Sequence, residues 1–318
     1  MKKFLTCVLA ALTVVFALSG CAGKADADDT VIKIGSLKGP TSMGLLYLME
    51  QNENYEFTIA TAADEILPKV VSGEIDIALV PANVASVLYN KTNGGVTVID
   101  INTLGVLYAV GGDESIGSVA DLKGKTVYVT NKGTTPDYVF QFLLSGNNLN
   151  LSDVNVEYKS EAAEVAALLK ENPDAVGILP QPFVTAACMG NENLKVLLNL
   201  TEEWDKLSDE ESGRLVTGVT IVRNDFLKEH EGAVKSFLKA HKESAEYAVS
   251  NPEATAALVV KAGIIEKEPV ALKALPNCSI TYIDGPSMKE ALSGYLKVLY
   301  DLDSTSVGGS LPGEEFYY

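Results

Sequence analysis

Two loops that carry glycine and hydroxyl side chains follow predicted strands and could bind a polar ligand. The first, Lys38-Gly39-Pro40-Thr41-Ser42, follows the apolar segment 31–35 and precedes the apolar residues of a predicted helix. The second, Gly133-Thr134-Thr135-Pro136, has the same place after residues 125–130. Because helix starts present backbone N–H groups without intrahelical partners, both loops are predicted to contact a ligand. The alternative is that their hydroxyl groups only cap the helices.

The sequence shows no set of residues typical of a catalytic or metal-binding site. His230 falls in a charged segment, and His241 is predicted on the exposed face of a helix. Metal-ligand spacings, Walker motifs and dinucleotide fingerprints are absent from the sequence, so we predict neither a cofactor nor a metal ion. We therefore expect a protein that is not an enzyme, although the members of a catalytic triad need not be close in sequence.

An internal repeat predicts the architecture. Residues 65–81 align without a gap on residues 164–180, at a constant offset of 99 residues. Each copy predicts a short amphipathic helix, a turn, a buried strand and a strand-ending proline, Pro81 or Pro180. The two loops described above recur in the same order. Two such units predict two lobes, each a mixed α/β sheet flanked by helices, with a ligand cleft between them.

Other polar residues are predicted to reach this cleft because of their place in the repeat. Asn83 and Gln181 follow the two repeated prolines, and Thr61 follows the predicted strand before the first copy. Lys38 and Lys132 precede the glycines of the two loops. These lysines could attract an anion or could remain solvated.

Four larger side chains have both a ligand-binding and a structural interpretation. Tyr138 and Phe183 could stack on a flat ligand, but their helical positions favour the core. Trp204 could line the cleft or cover a surface. Arg214 could bind a carboxylate or sulfonate through two hydrogen bonds, or form a surface ion pair.

The amino-terminal segment predicts export. Lys2 and Lys3 precede an apolar run, and Leu18-Ser19-Gly20-Cys21 resembles a bacterial lipobox. We predict a lipoprotein signal peptide over residues 1–20, lipidation of Cys21, and a polar tether over residues 21–29. The protein would then be extracytoplasmic and held at the cell membrane only by its lipid. A plain secretory signal that happens to contain a cysteine is the alternative.

The charge balance argues against nucleic acid as a partner. The chain has 42 acidic and 25 basic residues, a formal net charge of −17, whereas a phosphate backbone attracts basic surfaces. An acidic surface also suits a protein that stays soluble beside an anionic membrane. Apart from Cys7 and Cys21, the cysteines are Cys188 and Cys278, which could form a disulfide or remain buried free thiols.

These features together resemble the solute-binding proteins of bacterial ABC importers, in the branch linked to nitrate, taurine, alkanesulfonates and thiamine-pyrimidine precursors. Besides the lipobox-like motif, the resemblance rests on four segments: Ile32–Gly35, Val71–Ala78, Ser118–Val127 and Val222–Leu227. It implies a two-lobed periplasmic-binding fold of type II. The first lobe would comprise residues 30–108 plus 219–318, and the second residues 109–218.

The same resemblance places two hinge crossings, near residues 107–109 and 217–219. Thr217 at the second crossing is therefore a further candidate for ligand contact. Apolar spacings of three and four independently predict helices over residues 229–249 and 286–300 of the returning chain.

The function implied is that of a monomeric importer component. It would capture a small organic or anionic solute between the lobes and deliver it to an ABC permease with its ATPase. Two alternatives remain open. One is an enzyme on the same fold, acting on menaquinone or thiamine intermediates, and the other is a lipoprotein that senses a ligand or adheres to a surface.

Overall fold

The structure is a computed structural model that describes residues 30–51, 54–130, 132–208 and 213–318. The predicted signal peptide, Cys21 and the tether lie outside the described residues. The strands are β1 (Ile32–Leu37), β2 (Tyr55–Ala60), β3 (Ile77–Pro81), β4 (Val96–Leu104), β5 (Leu107–Gly111), β6 (Thr126–Thr130), β7 (Asn155–Lys159), β8 (Val176–Pro180), β9 (Lys195–Asn199), β10 (Val216–Arg223) and β11 (Ile280–Ile283).

The helices follow most strands and flank the sheets. They are α1 (Pro40–Met43), α2 (Leu46–Gln51), α3 (Ala63–Ser72), α4 (Ala82–Lys91), α5 (Thr135–Gly146), α6 (Ala162–Glu171), α7 (Phe183–Gly190), α8 (Leu200–Leu207), α9 (Asn224–Glu229), α10 (Glu231–Ser250), α11 (Pro252–Lys261), α12 (Glu268–Ala274) and α13 (Gly285–Leu302).

The first lobe contains a six-stranded mixed sheet in the order β11-β4-β10-β3-β1-β2. β1 runs parallel to β2 and β3, whereas β10 runs antiparallel to both β3 and β4. β10 enters between β3 and β4 after the chain has left the second lobe. The first lobe is therefore discontinuous in sequence, with its early strands held together by a late one.

The second lobe contains a five-stranded mixed sheet in the order β7-β6-β8-β5-β9. β6 runs parallel to β7 and β8, and β5 runs antiparallel to β8 and β9. The predicted fold class, two mixed sheets flanked by helices, is confirmed.

The chain passes between the sheets twice. β4 ends at Leu104 in the first sheet, and β5 pairs in the second sheet from Leu107 onward. On the return, β10 pairs with β4 of the first sheet from Val216 onward. The sequence boundaries after residues 108 and 218 thus fall inside β5 and β10, not in the segments that cross between the sheets.

The internal repeat is confirmed residue by residue. Helix α3 and strand β3 recur as α6 and β8, with every terminus displaced by the same offset. The buried residues of the helices match as well, since Ile66 and Val70 correspond to Val165 and Leu169. Equal spacing of the apolar positions gives each helix the same face to pack on its strand.

Trp204 of α8 lies in the core that joins the two lobes. Its ring is fully buried, 4.1 Å from that of Phe142 and 5.7 Å from that of Tyr295 on α13. Its indole N–H donates to the Gly213 carbonyl at 3.2 Å. Both sequence interpretations of Trp204 are therefore wrong, because the polar residues around it point outward while the ring itself points inward.

His241 was predicted to face solvent and is instead fully buried in the first lobe. It belongs to α10, whose bounds lie within two residues of those of the helix predicted over residues 229–249. The bounds of α13 likewise lie within two residues of those of the helix predicted over residues 286–300. The charged neighbours of His241 lie on the outer face, while His241 shares the inner face with Phe237 and Ser244. In residues 30–318, as far as they are described, no helix combines the length and apolar character needed to cross a membrane.

Candidate functional site

The carboxyl ends of the parallel strands in the two lobes converge where the chain crosses between the sheets. Leu107, directly after the first crossing, pairs with Pro180 at the end of β8. On the other side, Val216 pairs with Leu104 and Gly218 with Pro81. Loops that leave these strand ends therefore meet in one cleft, where small ligands bind in open α/β sheets.

Ser42 in the first loop forms hydrogen bonds inside its own lobe. Its hydroxyl donates to the Leu37 carbonyl at 2.5 Å, and its oxygen lies 2.6 Å from that of Ser36. Since Ser42 has a single proton, Ser36 is the donor in the second bond. Both serines are almost fully buried. These contacts give Ser42 a structural role in fixing the loop.

Thr41 lies beside the second crossing. Its hydroxyl donates to the Leu37 carbonyl at 3.2 Å. Its methyl group lies against Gly218, where an added Cβ would approach Thr41 Cγ2 to 2.5 Å and Asn102 Oδ1 to 2.6 Å. Glycine is therefore required at residue 218 for the first loop to pack on β10. Neither Thr41 nor Ser42 caps α1, because the N-cap position is Gly39.

The second loop is held by the buried carboxylate of Asp137, in the first turn of α5. One oxygen accepts the backbone N–H of Gly133 at 2.8 Å. The other accepts from Gln141 Nε2 at 2.9 Å and from the Tyr158 hydroxyl at 2.8 Å. Burial, and then this bond to Asp137, raise the pKa of Tyr158. The loop is thus fixed by a side chain that sequence reasoning did not single out.

The start of α5 also makes contacts across the lobes. The Tyr138 hydroxyl donates to Asp303 Oδ2 at 2.9 Å, and Thr135 is hydrogen-bonded to the Tyr295 hydroxyl. Burial, and then the bond to Asp303, raise the pKa of Tyr138 to about 12. Hydrogen bonds from the Thr305 side chain, the Thr305 backbone and Tyr138 hold the pKa of Asp303 below its usual value. Tyr138 is a core residue, as its position favoured, and it also joins the lobes.

A second contact between the lobes lies at the first crossing. The Tyr108 hydroxyl of β5 donates to the Asn277 carbonyl at 3.1 Å, and burial raises the pKa of Tyr108 to about 12. The backbone N–H of Gln181 donates to the Val106 carbonyl at 2.9 Å, and its side-chain oxygen accepts from Thr185 at 2.8 Å. The loop after β8 therefore rests against this crossing.

The other predicted contact residues have different environments. The Asn83 amide donates to the Ser306 carbonyl at 3.4 Å, so this donor is bonded to the returning chain. Thr61 is exposed, and its backbone N–H donates to Glu65 Oε1 at 3.0 Å. Thr217 is half-buried next to Gly218. Among these residues, Gln181 and Thr217 lie nearest to the crossings.

An apolar cavity of about 780 Å³ lies between the lobes. The second lobe lines it with Pro182, Phe183, Ala186, Met189 and Gly190, directly after Gln181. The first lobe lines it with residues 264–267, 269 and 270, which are apolar except for Glu266 and Lys267. Phe183 is 41% exposed, so the expectation that it belongs to the core is wrong. Sequence reasoning also missed residues 264–270, because apolar residues in a helical region give no signal of ligand binding.

The cationic residues singled out from the sequence do not converge on this cavity. Lys38 and Lys132 are exposed, and Lys132 Nζ lies 5.6 Å from the centre of the Tyr158 ring. Arg214 lines a separate cavity of about 350 Å³ with residues such as Ser287 and Glu290 of α13.

A buried polar network in the first lobe was not predicted. His241 Nδ1 lies 3.2 Å from Asp100 Oδ2, and Thr220 donates to the other Asp100 oxygen at 2.8 Å. Asn102 Nδ2 donates to the Thr220 hydroxyl oxygen at 3.2 Å, which extends the network toward Gly218. A buried histidine paired with aspartate invites comparison with catalytic dyads. It is fully buried inside the first lobe, however, between the strand that carries Asp100 and α10.

The two cysteines in the part of the chain that the structure describes, Cys188 and Cys278, are free thiols. Cys278 is fully buried, its Sγ donates to the Ala274 carbonyl at 3.3 Å, and burial raises its pKa to about 12. Cys188 is only half-buried. Within the described ranges, no three His, Cys, Asp or Glu side chains lie together as metal ligands would.

The sequence model of one protein family, described as NMT1/THI5 like, matches residues 94–255. This is half of the chain, and it includes the second lobe, both crossings and all of α10. The chain belongs to the NMT1/THI5-like family. The matched segment contains the second loop, Gln181 and Phe183, while the first loop and residues 264–270 lie outside it.

Solved structures share the fold of this NMT1/THI5-like chain. An ABC transporter structure from Parabacteroides distasonis has a TM-score of 0.77 and 24% identity, over 91% of this chain and 99% of that one. The periplasmic aliphatic sulphonate binding protein of Escherichia coli has a TM-score of 0.73 and 16% identity, over 90% and 91% of the two chains. The fold is thus that of the periplasmic binding proteins.

One curated relative comes from Brucella abortus and is named, provisionally, a binding protein. It is 26% identical over 194 residues, which are 61% of this chain and 58% of the relative. The chain therefore spans less than two thirds of the length of this relative.

Proposed function

We propose that this chain is the extracytoplasmic solute-binding component of an ABC importer. It captures a small solute between its lobes and presents the loaded, closed form to a permease with an associated ATPase. It binds its solute without transforming it. The observation that carries the proposal is the pair of sheets joined by two crossings, with strand ends of both sheets at the crossings and an apolar cavity between α7 of the second lobe and residues 264–270 of the first.

The family match and the periplasmic sulphonate binding protein on the same fold support this reading. The relative named provisionally as a binding protein points in the same direction.

Closure of the lobes is the proposed signal to the permease. A solute that touches both lobes favours the closed form by its difference in affinity for the two states. The bonds from Tyr138 to Asp303 and from Tyr108 to the Asn277 carbonyl are the proposed protein contributions to that form. The hinge would lie at residues 105–106 and 213–215, which neither sheet includes.

The solute contacts are proposed to come from the loops at the strand ends. The backbone of residues 38–42 and of residues 133–135 would supply hydrogen-bond donors from the two lobes. Gln181 and Thr217 lie next to the crossings, at the floor of the cleft. The Ser42 hydroxyl is assigned to support of the loop and not to the solute.

The proposed anchor is a lipid on Cys21 after removal of residues 1–20. A Cys21→Ser variant should leave the membrane fraction and lose incorporation of radiolabelled palmitate. An unchanged membrane association would contradict this anchor. Light scattering of the purified protein should give the mass of a monomer.

Solute capture is tested by a thermal-shift screen over sulfonates, pyrimidines, amino acids and vitamins. A ligand at about 100 times its Kd stabilises the folded state by about 2.7 kcal/mol. Small-angle scattering with a stabilising compound should then show compaction. A saturating ligand that leaves the shape unchanged would reject the two-lobed clamp, and a chemically altered ligand would point to an enzyme.

A further inference from the structure

We propose that the solute is uncharged and largely apolar over the part that enters the cavity between α7 and residues 264–270. This inference rests on the proposed function, since it concerns the ligand of the same cleft. The cavity has a volume of about 780 Å³, within the range of about 300–1,000 Å³ typical of small-molecule sites. It therefore has room for a ring-containing molecule.

The apolar side chains of the cavity are left open to it. Phe183 and Met189 of α7 are 41% and 42% exposed, whereas Val184 on the same helix is buried. On the facing lobe, Ile264 and Val270 complete an apolar wall. Since the hydrophobic effect favours covering such surface, a ligand with matching apolar area would bind here more tightly than a polar one.

The charges around the cavity argue against an anion. Its ionisable lining residues are Glu266 and Lys267, which are adjacent and of opposite sign. The whole sequence contains two arginines. Arg223 binds Asp76 at 3.0 Å, and Arg214 lines another cavity. A sulfonate or carboxylate in this cavity would therefore lack the bidentate guanidinium contact that such groups favour.

A matched pair of probes tests the charge. Toluene-4-sulfonamide and toluene-4-sulfonate have nearly the same shape, but at neutral pH only the second is charged. Calorimetry should show that the sulfonamide binds at least about tenfold more tightly, a difference of about 1.4 kcal/mol. Equal binding, tighter binding of the sulfonate, or no binding of the sulfonamide at millimolar concentration would overturn the proposal.

A pair of variants tests the place. Phe183→Ala should weaken sulfonamide binding by about tenfold, because it removes the ring that faces the cavity. Leu302→Ala is the control, since Leu302 is 38% exposed at the end of α13 and does not line the cavity. Equal losses in both variants would place the binding elsewhere.

Two outcomes distinguish a wrong solute class from a wrong function. If the sulfonate binds more tightly and compacts the protein, the chain remains a solute-binding protein and only the solute class is wrong. If no compound of the wider screen compacts the protein, the proposed function fails as well.

Discussion

Asp100 of the first lobe and Asp137 of the second are both almost fully buried, and the two serve different purposes. Asp100, in the first lobe, accepts hydrogen bonds from residues 120 and 141 positions later in the chain, Thr220 and His241. Asp137, in the second, accepts from Gly133, Gln141 and Tyr158, all within 21 positions.

The difference follows from the topology. The first lobe is assembled from two distant parts of the chain, and Asp100 on β4 bonds to both later elements, β10 and α10. The second lobe is continuous, so Asp137 has no such task and instead fixes the loop between β6 and α5. The comparison predicts that loss of Asp100 affects folding, whereas loss of Asp137 affects folding and binding together.

Removal of Asp100 should have the largest effect on stability. Asp100→Ala leaves His241 and Thr220 buried without their acceptor, and we expect a loss of about 3–5 kcal/mol in the free energy of unfolding. Urea denaturation would measure it. The double variant Asp100→Leu with His241→Leu should recover much of this loss, because apolar groups then replace both partners. A double variant as unstable as Asp100→Ala would contradict the role assigned to the pair.

Removal of Asp137 should have a smaller effect on stability and an additional effect on binding. Asp137→Ala deprives three donors of an acceptor, with an expected loss of about 2–4 kcal/mol. The loop over residues 133–135 would no longer be fixed, so the affinity for a ligand found in the screen should fall. Asp100→Asn is the matched control, since it alters a buried aspartate of the other lobe. An equal fall in affinity in both variants would contradict the different roles assigned to the two aspartates.

The repeated unit was predicted from sequence to the residue, because helix and strand periods leave a clear apolar pattern there. A loop between β1 and α1 was predicted and is present, and its contact with a solute stays a prediction. The hydrogen bonds that its hydroxyl groups make within the first lobe were not predicted. Ser42 bonds to Ser36, a contact that depends on how the chain turns at Gly39.

Phe183 was placed wrongly because the cavity that it faces is completed by the other lobe, whereas His241 and Trp204 were placed wrongly for one shared reason. Their neighbours in sequence have the opposite polarity to their neighbours in space. Residues 264–270 escaped notice because an apolar wall resembles any other apolar segment until the facing lobe is known. Long-range contacts, not local pattern, decide these positions.

A variant at Tyr138 separates the effect of the contact between the lobes from effects on the stability of the second lobe. Tyr138→Phe removes the hydroxyl bonded to Asp303. We expect the closed form to lose about 0.5–1.5 kcal/mol of stability, equivalent to a ligand affinity lower by about two- to tenfold. Tyr128→Phe is the matched control, because the Tyr128 hydroxyl accepts from Asn172 within the second lobe at 3.4 Å. Calorimetry should show a weaker ligand affinity for the first variant only.

The smallest expected effect is the pH dependence of the same contact. The pKa of Asp303 is lowered in the folded protein, first by Thr305 and then by Tyr138. The contribution of the Asp303 carboxylate to stability is therefore fully present above the pKa of the unfolded state, about 3.9. That contribution is lost as the pH falls through the lower pKa of the folded state. The pKa of Tyr138 is raised to about 12, so its contribution is complete below its unfolded pKa, about 10. It is lost as the pH rises toward 12.

The difference in stability between the native protein and Tyr138→Phe should therefore be constant between about pH 4 and pH 10 and should shrink outside these limits. Tyr138 is buried but Asp303 is only half-buried, so solvent screens the charge of Asp303; the change will be small and should weaken in high salt. Urea denaturation of both proteins across this range measures it. A difference that stays constant below pH 4 would mean that Asp303 does not hold the second lobe through its charge.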